Sequence, residues 1–313
     1  MAWRAIKVLE ARVGLYSNKA ELIGPDRFFL FLTDFHRIEE IEPGGNLDGL
    51  LRALDAEVEP SISVEADVIN AVGPFTALEK SCLDRRYSLF GNEGLLFRFI
   101  LHLLEARHEI FSAHACAMFD ERAGRLFIVA GSAGAGKSCF ILRGLELGLR
   151  LFSAEMTHFR LKGEEIEFLK GALQDNVRVD NLRQDFPKIR KLLGISLPDD
   201  GSEKVTLDLA PFAVGEDMLK NPEVIVVFPR IERGVETPKV RDVSPETAVR
   251  LLFENLTEKV GQPFLLYGRI PVKGWNSPES LWKRLEAARG LLAKARRVLQ
   301  VYAAPQNCWE GVF

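Results

Sequence analysis

Eight consecutive residues have the types and spacing of a phosphate-binding loop. They read Gly131-Ser132-Ala133-Gly134-Ala135-Gly136-Lys137-Ser138 and fit GxxxxGK[ST] at every position. Glycines let backbone N–H groups approach phosphate oxygens, the lysine reaches the β- and γ-phosphates, and the serine hydroxyl is a ligand for Mg²⁺. The pattern arises by chance in roughly 1% of chains of this length. We therefore expect this loop to bind ATP, or another nucleoside triphosphate, with Mg²⁺.

The elements around the loop are those that such a loop requires. Ala113–Met118 and Arg125–Ala130 are apolar and typical of strands, and the turn between them, residues 120–124, makes them a hairpin. The second strand runs directly into Gly131. A helix is predicted from about Lys137 to a C-terminal glycine, Gly148. A strand before the loop and a helix after it favour phosphate binding, and the hairpin predicts a mixed sheet.

The rest of the chain is predicted as α/β. Further strands are expected at Leu149–Leu161, Ile166–Leu169, Glu203–Leu209 and Glu223–Phe228. Helices are expected to begin after the serine N-caps of Ser244-Pro245 and Ser277-Pro278, the second with an apolar stripe from Leu281 to Leu299. Residues 172–201 are polar and weakly periodic, and we interpret them as an insertion.

The first 105 residues are predicted to form a smaller α/β region of unknown role, ahead of a nucleotide-binding domain at 106–313. Strands are expected at Arg27–Phe35, Glu57–Asn70 and Arg86–Phe90. Pro60 favours an edge position for the second of these. A helix is expected from an Asn92 N-cap to about Ile110.

The residues around the loop resemble the HPr kinase/phosphorylase family, whose P-loop core is similar to that of phosphoenolpyruvate carboxykinase. The resemblance rests on His114-Ala115, the hairpin, the loop, and the run Gly148-Leu149-Arg150-Leu151-Phe152-Ser153-Ala154-Glu155. A fainter match extends towards Tyr302. Family members carry a His-Ala or His-Gly pair before the loop and an acidic pair after it. The resemblance implies a mixed-sheet core and transfer of a γ-phosphoryl group to a hydroxyl, typically that of a serine.

The resemblance also implies roles for individual residues. Lys137 would stabilise phosphate charge, Ser138 and Glu155 would hold Mg²⁺, and His114 or Glu155 would assist the acceptor. The sequence departs from the family at Ala154, where the first acidic residue is expected, and at Ala133, where a loop serine is common. The later signature segment of HPr kinases does not occur, so HPr itself is not the expected substrate.

Three functions follow from these features. The first is an ATP-dependent kinase that acts on a hydroxyl of a peptide, a protein or a small metabolite. The second is an ATP-binding regulator without turnover, in which the catalytic base has become Ala154. The third is a P-loop NTPase. Side chains outside the loop are interpreted as structural or solvated, with a role in the site left open for some of them: His158, Lys204, Asp208 and the basic group Arg183, Lys188, Arg190 and Lys191.

The composition bears on the kinds of binding partner and on the cellular compartment that we expect. The 313 residues carry a net charge of −3, so no overall positive field indicates a nucleic-acid partner. The four cysteines form no CxxC pair, which is typical of a reducing cytoplasm. The most apolar stretch, Leu95–Phe111, is too short and too charged to cross a membrane. We expect a cytoplasmic protein, and a homo-oligomer remains open.

Overall fold

The computed structural model describes residues 1–24, 35–65, 67–197 and 203–313. The chain divides into two compact units. The first comprises Met1–Phe111 and Thr257–Lys283, and the second comprises Ser112–Leu256 and Arg284–Phe313. None of the helices in these described ranges is long and apolar enough to span a bilayer.

The described residues form twenty strands and six α-helices. The strands are β1 (Ala2–Val8), β2 (Ala11–Ser17), β3 (Ile38–Ile41), β4 (Gly49–Asp55), β5 (Ser61–Glu65), β6 (Val68–Gly73), β7 (Phe111–Ala113), β8 (Ala115–Asp120), β9 (Arg125–Ala130), β10 (Arg150–Ser153), β11 (Thr157–Lys162), β12 (Glu165–Leu169), β13 (Gln174–Arg178), β14 (Lys204–Asp208), β15 (Met218–Lys220), β16 (Glu223–Ile231), β17 (Lys239–Asp242), β18 (Phe264–Leu266), β19 (Ile270–Val272) and β20 (Ala295–Ala303). The helices are α1 (Phe75–Ser81), α2 (Leu95–His108), α3 (Lys137–Glu146), α4 (Pro187–Leu192), α5 (Pro245–Gly261) and α6 (Pro278–Lys294).

The first unit is built on a mixed six-stranded sheet in the order β3-β1-β2-β4-β6-β5. The predicted strand Glu57–Asn70 is instead the antiparallel hairpin β5–β6, and β5 occupies the predicted edge. The predicted strand Arg86–Phe90 is wrong, because a 3₁₀ turn and bends occupy these residues. The predicted strand Arg27–Phe35 lies, except for Phe35, outside the described residues.

Helix α2 of the first unit confirms the helix predicted after residue 92, although its cap differs. Gly94, and not Asn92, is the N-cap residue. A Cβ on Gly94 would lie 1.9 Å from the Ser88 carbonyl oxygen, so the chain approaches too closely there for any larger residue. Packing against the preceding turn therefore decides where this helix begins.

The second unit is built on a mixed six-stranded sheet in the order β10-β8-β9-β16-β20-β17. Strands β9, β16 and β20 are parallel, and β8, β10 and β17 pair antiparallel with their neighbours. The central strands β8, β9 and β16 are continuous apolar runs because both of their faces are buried. The predicted hairpin and the predicted mixed-sheet α/β class are confirmed.

Helix α3 packs on this sheet and confirms the helix predicted after the glycine-rich turn. Its C-terminal end is followed by Gly148, which has φ +85° as expected of a terminating glycine. Trp309 is 2% exposed, packs edge-on against Phe140 and Phe127, and donates from Nε1 to the Phe140 carbonyl at 2.9 Å. The C-terminal segment thus fixes α3 through both apolar contact and a buried hydrogen bond.

Two further predicted elements are divided in the structure. The strand predicted at Leu149–Leu161 is two strands, β10 and β11, which belong to different sheets. The helical stripe predicted up to Leu299 ends with α6 at Lys294, and the chain continues as β20. Pairing of β20 with β16 and β17 overrides the helical spacing of the apolar residues there. The serine caps predicted for α5 and α6 are present, at Ser244 and Ser277.

Candidate nucleotide site

The glycine-rich turn between β9 and α3 exposes backbone donors. Gly134 and Gly136 adopt φ +85° and +106°, and a Cβ on Gly136 would lie 2.3 Å from Ile231, so glycine is required there. Within the described chain, five amide N–H groups of the turn donate to no protein acceptor: those of Ser132, Ala133, Gly134, Gly136 and Ser138. Such a set of available amides at a helix N-terminus is typical of an anion-binding site.

Lys137 lies in the same turn with its side chain directed back over the loop. The residue is 8% exposed, and its Nζ contacts the Gly131 carbonyl oxygen at 2.8 Å and His114 Nε2 at 2.8 Å. His114 Nε2 also lies 2.7 Å from Glu155 Oε1. The structure therefore brings together the three predicted catalytic residues. His114 is 1% exposed, whereas the Glu155 side chain is 31% exposed and reaches solvent.

His114 and Glu155 both lie where the chain changes sheet. His114 separates β7 of the four-stranded sheet β15-β12-β11-β7 from β8 of the six-stranded sheet. Glu155 lies in the break at 154–156, between β10 and β11, which belong to the same two sheets. Thr157 holds the two breaks together, because its hydroxyl donates to the Ala115 carbonyl at 2.9 Å and bonds the Ser153 hydroxyl at 2.6 Å.

Asn255 on α5 fixes the backbone of His114. Its Nδ2 donates to the His114 carbonyl oxygen at 2.9 Å, and Asn255 is 6% exposed. The same carbonyl accepts from the N–H of Gly131, the first residue of the glycine-rich turn. A single oxygen thus connects the histidine, the loop and helix α5. A buried amide that serves a backbone carbonyl cannot be recognised in the sequence without the fold.

The hydroxyl of Ser138 faces a carboxylate that the sequence analysis missed. Ser138 Oγ donates to Asp175 Oδ1 at 3.2 Å, and Asp175 is 4% exposed. The pKa of Asp175 is raised to about 7, mainly by burial and also by the negative charge of Glu155, while the hydrogen bond from Ser138 and the charges of Lys137 and Lys204 oppose the shift. Asp175 lies on β13, within the segment predicted as an insertion at 172–201.

Residue spacing on β13 contains a signal for Asp175. Leu173, Asp175, Val177 and Val179 alternate along the chain and all four are buried, whereas Asn176 and Arg178 are exposed. An acidic residue in phase with the apolar residues of a strand is unusual, since charged side chains are almost never fully buried unless they are paired. That phase could have identified Asp175 from the sequence.

The oxygen atoms near the loop fit Mg²⁺ better than a transition metal. Ser138 and Asp175 offer hydroxyl and carboxylate oxygens, the ligand type that Mg²⁺ prefers. Among the described residues no group of three or more His, Cys, Asp or Glu side chains is arranged to hold a metal ion. Mg²⁺ is suited to such a site, because it keeps several waters and is bound through one or two carboxylates together with substrate phosphates.

The remaining candidates lie apart from this group of side chains or serve local structure. His158 is buried and bonded through Nδ1 to the Ser112 hydroxyl at 2.8 Å. Asp208 accepts from the N–H of Ala210 and caps a short 3₁₀ turn. Lys204 is exposed, although its charge acts on Asp175. The basic residues of the predicted insertion are also exposed: Arg183, Lys188, Arg190 and Lys191.

Comparison with known proteins finds a remote resemblance among solved structures. No protein-family profile matches the chain. No curated protein matches it either. Among solved structures, the chain is similar to the Hpr(Ser) kinase/phosphatase from Coxiella burnetii, with 12% identity and a TM-score of 0.24 over 59% of this chain and 99% of that chain. A match with so low a TM-score does not show that the two proteins share a fold or a chemistry. What the site can do must therefore follow from its own residues.

Proposed function

We propose that this chain binds ATP with Mg²⁺ and transfers the γ-phosphoryl group to a hydroxyl of a peptide, a protein or a small-molecule acceptor. The observation that carries the proposal is the set of five amide N–H groups without a protein acceptor, in a turn that also holds Lys137. These amides belong to solvent-accessible residues, and a phosphate that replaces water there would accept from several of them at the N-terminus of a helix, as in phosphate-binding loops. The N-terminal end of α3 adds its partial positive charge at the same place.

Lys137 acts on the phosphates in this proposal. Its Nζ contacts two backbone carbonyl oxygens and His114, and phosphate oxygens carry more negative charge than any of these partners. The ammonium group would therefore turn towards the β- and γ-phosphates when the nucleotide binds. The Ser138 hydroxyl would help to hold Mg²⁺, which would supply neutralisation of phosphate charge.

Movement of Lys137 would also decide which hydrogen bond His114 Nε2 makes, because both Lys137 and Glu155 lie within hydrogen-bond distance of it. His114 Nε2 carries at most one proton, so it cannot accept from Lys137 and donate to the Glu155 carboxylate at the same time. Once phosphate attracts Lys137, Nε2–H donates to Glu155 and orients it. The Glu155 side chain is 31% exposed, so an acceptor can approach its carboxylate from solvent. Glu155, predicted as both metal ligand and base, is here assigned the role of base.

The transfer step then follows the chemistry of other kinases. The acceptor O–H passes its proton to Glu155, and its oxygen forms a bond to the γ-phosphorus. The bond from that phosphorus to the β–γ bridging oxygen breaks, and ADP leaves with the electron pair. Positioning of the two reactants and stabilisation of phosphate charge provide most of the acceleration.

Calorimetry tests the binding half of this proposal. Lys137→Ala should weaken ATP binding in Mg²⁺ about tenfold to a hundredfold, because charge-assisted hydrogen bonds contribute about 1.5–3 kcal/mol. The matched control is Lys239→Ala, which removes an exposed lysine from the edge strand β17. If the unaltered protein gave no heat with ATP, GTP or ADP, the proposal would be wrong.

Label transfer separates the proposed kinase from its two rivals. The protein is incubated with γ-labelled ATP, Mg²⁺ and fractions of a cell extract, beside Lys137→Ala and Lys239→Ala. Label on an acceptor that is lost only with Lys137→Ala supports the kinase. Bound nucleotide with neither labelled acceptor nor free phosphate indicates the regulator without turnover. Free phosphate without a labelled acceptor indicates an NTPase.

A further inference from the structure

Asp175 occupies a position where a carboxylate is costly. It lies on the buried face of β13 between Leu173 and Val177, and it is 4% exposed. Removing an ionised carboxylate from water is unfavourable unless a cation or several hydrogen bonds replace the lost hydration. The side chain therefore requires compensation that an apolar residue at the same position would not need.

The described residues supply little of that compensation. Asp175 Oδ1 accepts one hydrogen bond, from the Ser138 hydroxyl at 3.2 Å. Asp175 Oδ2 is buried and has no hydrogen-bond partner among the described residues. No described cation forms an ion pair with this carboxylate, and the nearby Glu155 carries the same charge. The group is oriented by Ser138, and the positive charges of Lys137 and Lys204 act on it without forming an ion pair.

We propose that Asp175 is the carboxylate ligand of a divalent cation bound beside the Ser138 hydroxyl, namely the Mg²⁺ that accompanies the nucleoside triphosphate. This inference rests on the proposed function. It assigns the metal to Ser138 and Asp175 and leaves Glu155 to the acceptor hydroxyl. One serine hydroxyl, one carboxylate, phosphate oxygens and water form the oxygen-rich ligand set that Mg²⁺ favours.

Ala154 is consistent with this division of roles. Ala154 is 1% exposed, belongs to the apolar core beneath α3, and donates its N–H to the Ala172 carbonyl oxygen at 2.8 Å. The segment that starts at Ala172 continues into β13, which carries Asp175 to Ser138. In this assignment Asp175 on β13 supplies the negative charge at the metal, and Ala154 packs in the apolar core.

The test compares ATP binding by calorimetry with Mg²⁺ and with excess EDTA. The unaltered protein should bind the Mg²⁺ complex more tightly than metal-free ATP. Asp175→Asn retains an oxygen that can accept from Ser138 but loses the charge, so it should reduce this Mg²⁺-dependent gain about tenfold or more. Affinity for metal-free ATP should be unchanged or higher. Asp242→Asn, on an exposed carboxylate of β17, is the control.

Two outcomes of that test are distinguishable. If the unaltered protein binds no nucleotide, the proposed function fails and this inference fails with it. If nucleotide binds, and Asp175→Asn keeps the full Mg²⁺-dependent gain or weakens both forms of ATP equally, only the assignment of Asp175 is wrong. Equal weakening is what a carboxylate that merely supports the loop would produce.

A thiolate variant tests direct contact between residue 175 and the metal. Thiolate ligands favour soft cations over Mg²⁺. Asp175→Cys should therefore lose the Mg²⁺-dependent gain and recover a gain with Cd²⁺, whereas Asp175→Ala should recover nothing with Cd²⁺. Equal behaviour of the two variants in Cd²⁺ would overturn the assignment.

Thermal melting gives a further readout and checks folding. Asp175→Asn should melt at a higher temperature than the unaltered protein without nucleotide, because it removes a buried charge that lacks a cation. A carboxylate retained for structure predicts the opposite shift, and a lower melting temperature for Asp175→Asn would count against the proposal.

Discussion

Two buried carboxylates of the second unit lie in opposite electrostatic surroundings. Glu167 on β12 is 2% exposed and accepts from Arg160 Nε at 2.6 Å, with Lys162 at 3.1 Å and Lys220 at 3.4 Å. The hydrogen bond from Arg160, followed by those from the lysines, lowers the pKa of Glu167 to about 2. Asp175 is nearly as buried but has a serine hydroxyl in place of the cations, and burial raises its pKa to about 7.

The difference distinguishes a carboxylate paired within the fold from the proposed metal ligand. The cations of Glu167 belong to its own strand pair and its neighbour β15, so its charge is satisfied by the fold alone. The charge of Asp175 is not satisfied by the fold, which is typical of a group whose partner is a ligand. Substitutions at the two places should therefore change different properties of the protein.

The largest difference is expected between two glutamates. Glu155→Gln removes the proposed base and should lower the rate of phosphoryl transfer by about 10²–10⁴-fold, with ATP affinity retained. Glu167→Gln should leave the transfer rate unchanged and lower the melting temperature, since three cations lose their carboxylate. Single-turnover transfer from γ-labelled ATP and thermal melting measure the two effects.

Either of two results would contradict this expected difference between Glu155→Gln and Glu167→Gln. A transfer rate that Glu155→Gln leaves intact would remove Glu155 from the chemistry. A Glu167→Gln variant with normal melting but lost transfer would mean that the network around Glu167 serves the reaction.

A second prediction concerns a carboxylate placed in the core. Ala154→Asp should destabilise the protein by about 3 kcal/mol, because it buries a larger, charged side chain in apolar packing without a partner. It should not raise the transfer rate. Ala123→Asp, in the exposed turn between β8 and β9, is the matched control. Urea unfolding measures the loss, and an Ala154→Asp variant of normal stability and higher activity would indicate that residue 154 faces the nucleotide.

The smallest expected effect is a change in the stability of the fold at acid pH, caused by protonation of Glu167. Its pKa is about 2 in the folded protein against 4.5 for a free glutamate, so the unfolded chain takes up the proton first as pH falls. The stability contributed by Glu167 is complete above about pH 4.5 and is lost as pH falls towards 2. Two of its cations are more than half exposed, so screening keeps the contribution modest.

Melting of Glu167→Gln across this range checks that prediction. The variant should melt below the unaltered protein at pH 7, and the gap should close between pH 4.5 and 2. A gap that stays constant with pH would attribute the loss to packing of the glutamine and not to ionisation.

Local sequence signals predicted the elements that local interactions determine. The hairpin β8–β9, the glycine-rich turn and α3 have bounds close to those expected, because turn residues, helix start and terminating glycine lie within a few positions of each other. Elements set by distant pairing were missed. Strand β10 pairs with β8 and strand β11 pairs with β12, and these two pairs belong to different sheets. No residue at 154–156 is of a type that ends a strand, so the sequence does not indicate the break between β10 and β11.

The residues of the candidate site also fall into two groups, those that local sequence signals predicted and those that depend on distant parts of the chain. Gly131–Ser138, His114 and Glu155 were predicted from the sequence, and contacts among Gly131, Lys137, His114 and Glu155 place them close together. Asp175 and Asn255 were missed because each acts across the fold, through a hydroxyl 37 residues away and a carbonyl 141 residues away in the chain. Asp175 had a detectable signal in its phase along β13, whereas Asn255 had none.

The two places where the chain changes sheet have a consequence for how relatives of this protein can vary in length. His114 and Glu155 lie within these crossings, so one added residue in either would reverse the direction of every side chain that follows until a bulge restores it. Such an insertion would turn the histidine or the glutamate away from its partner. Gains and losses of residues should therefore be excluded from both crossings and collect at the solvent-exposed turn 121–124.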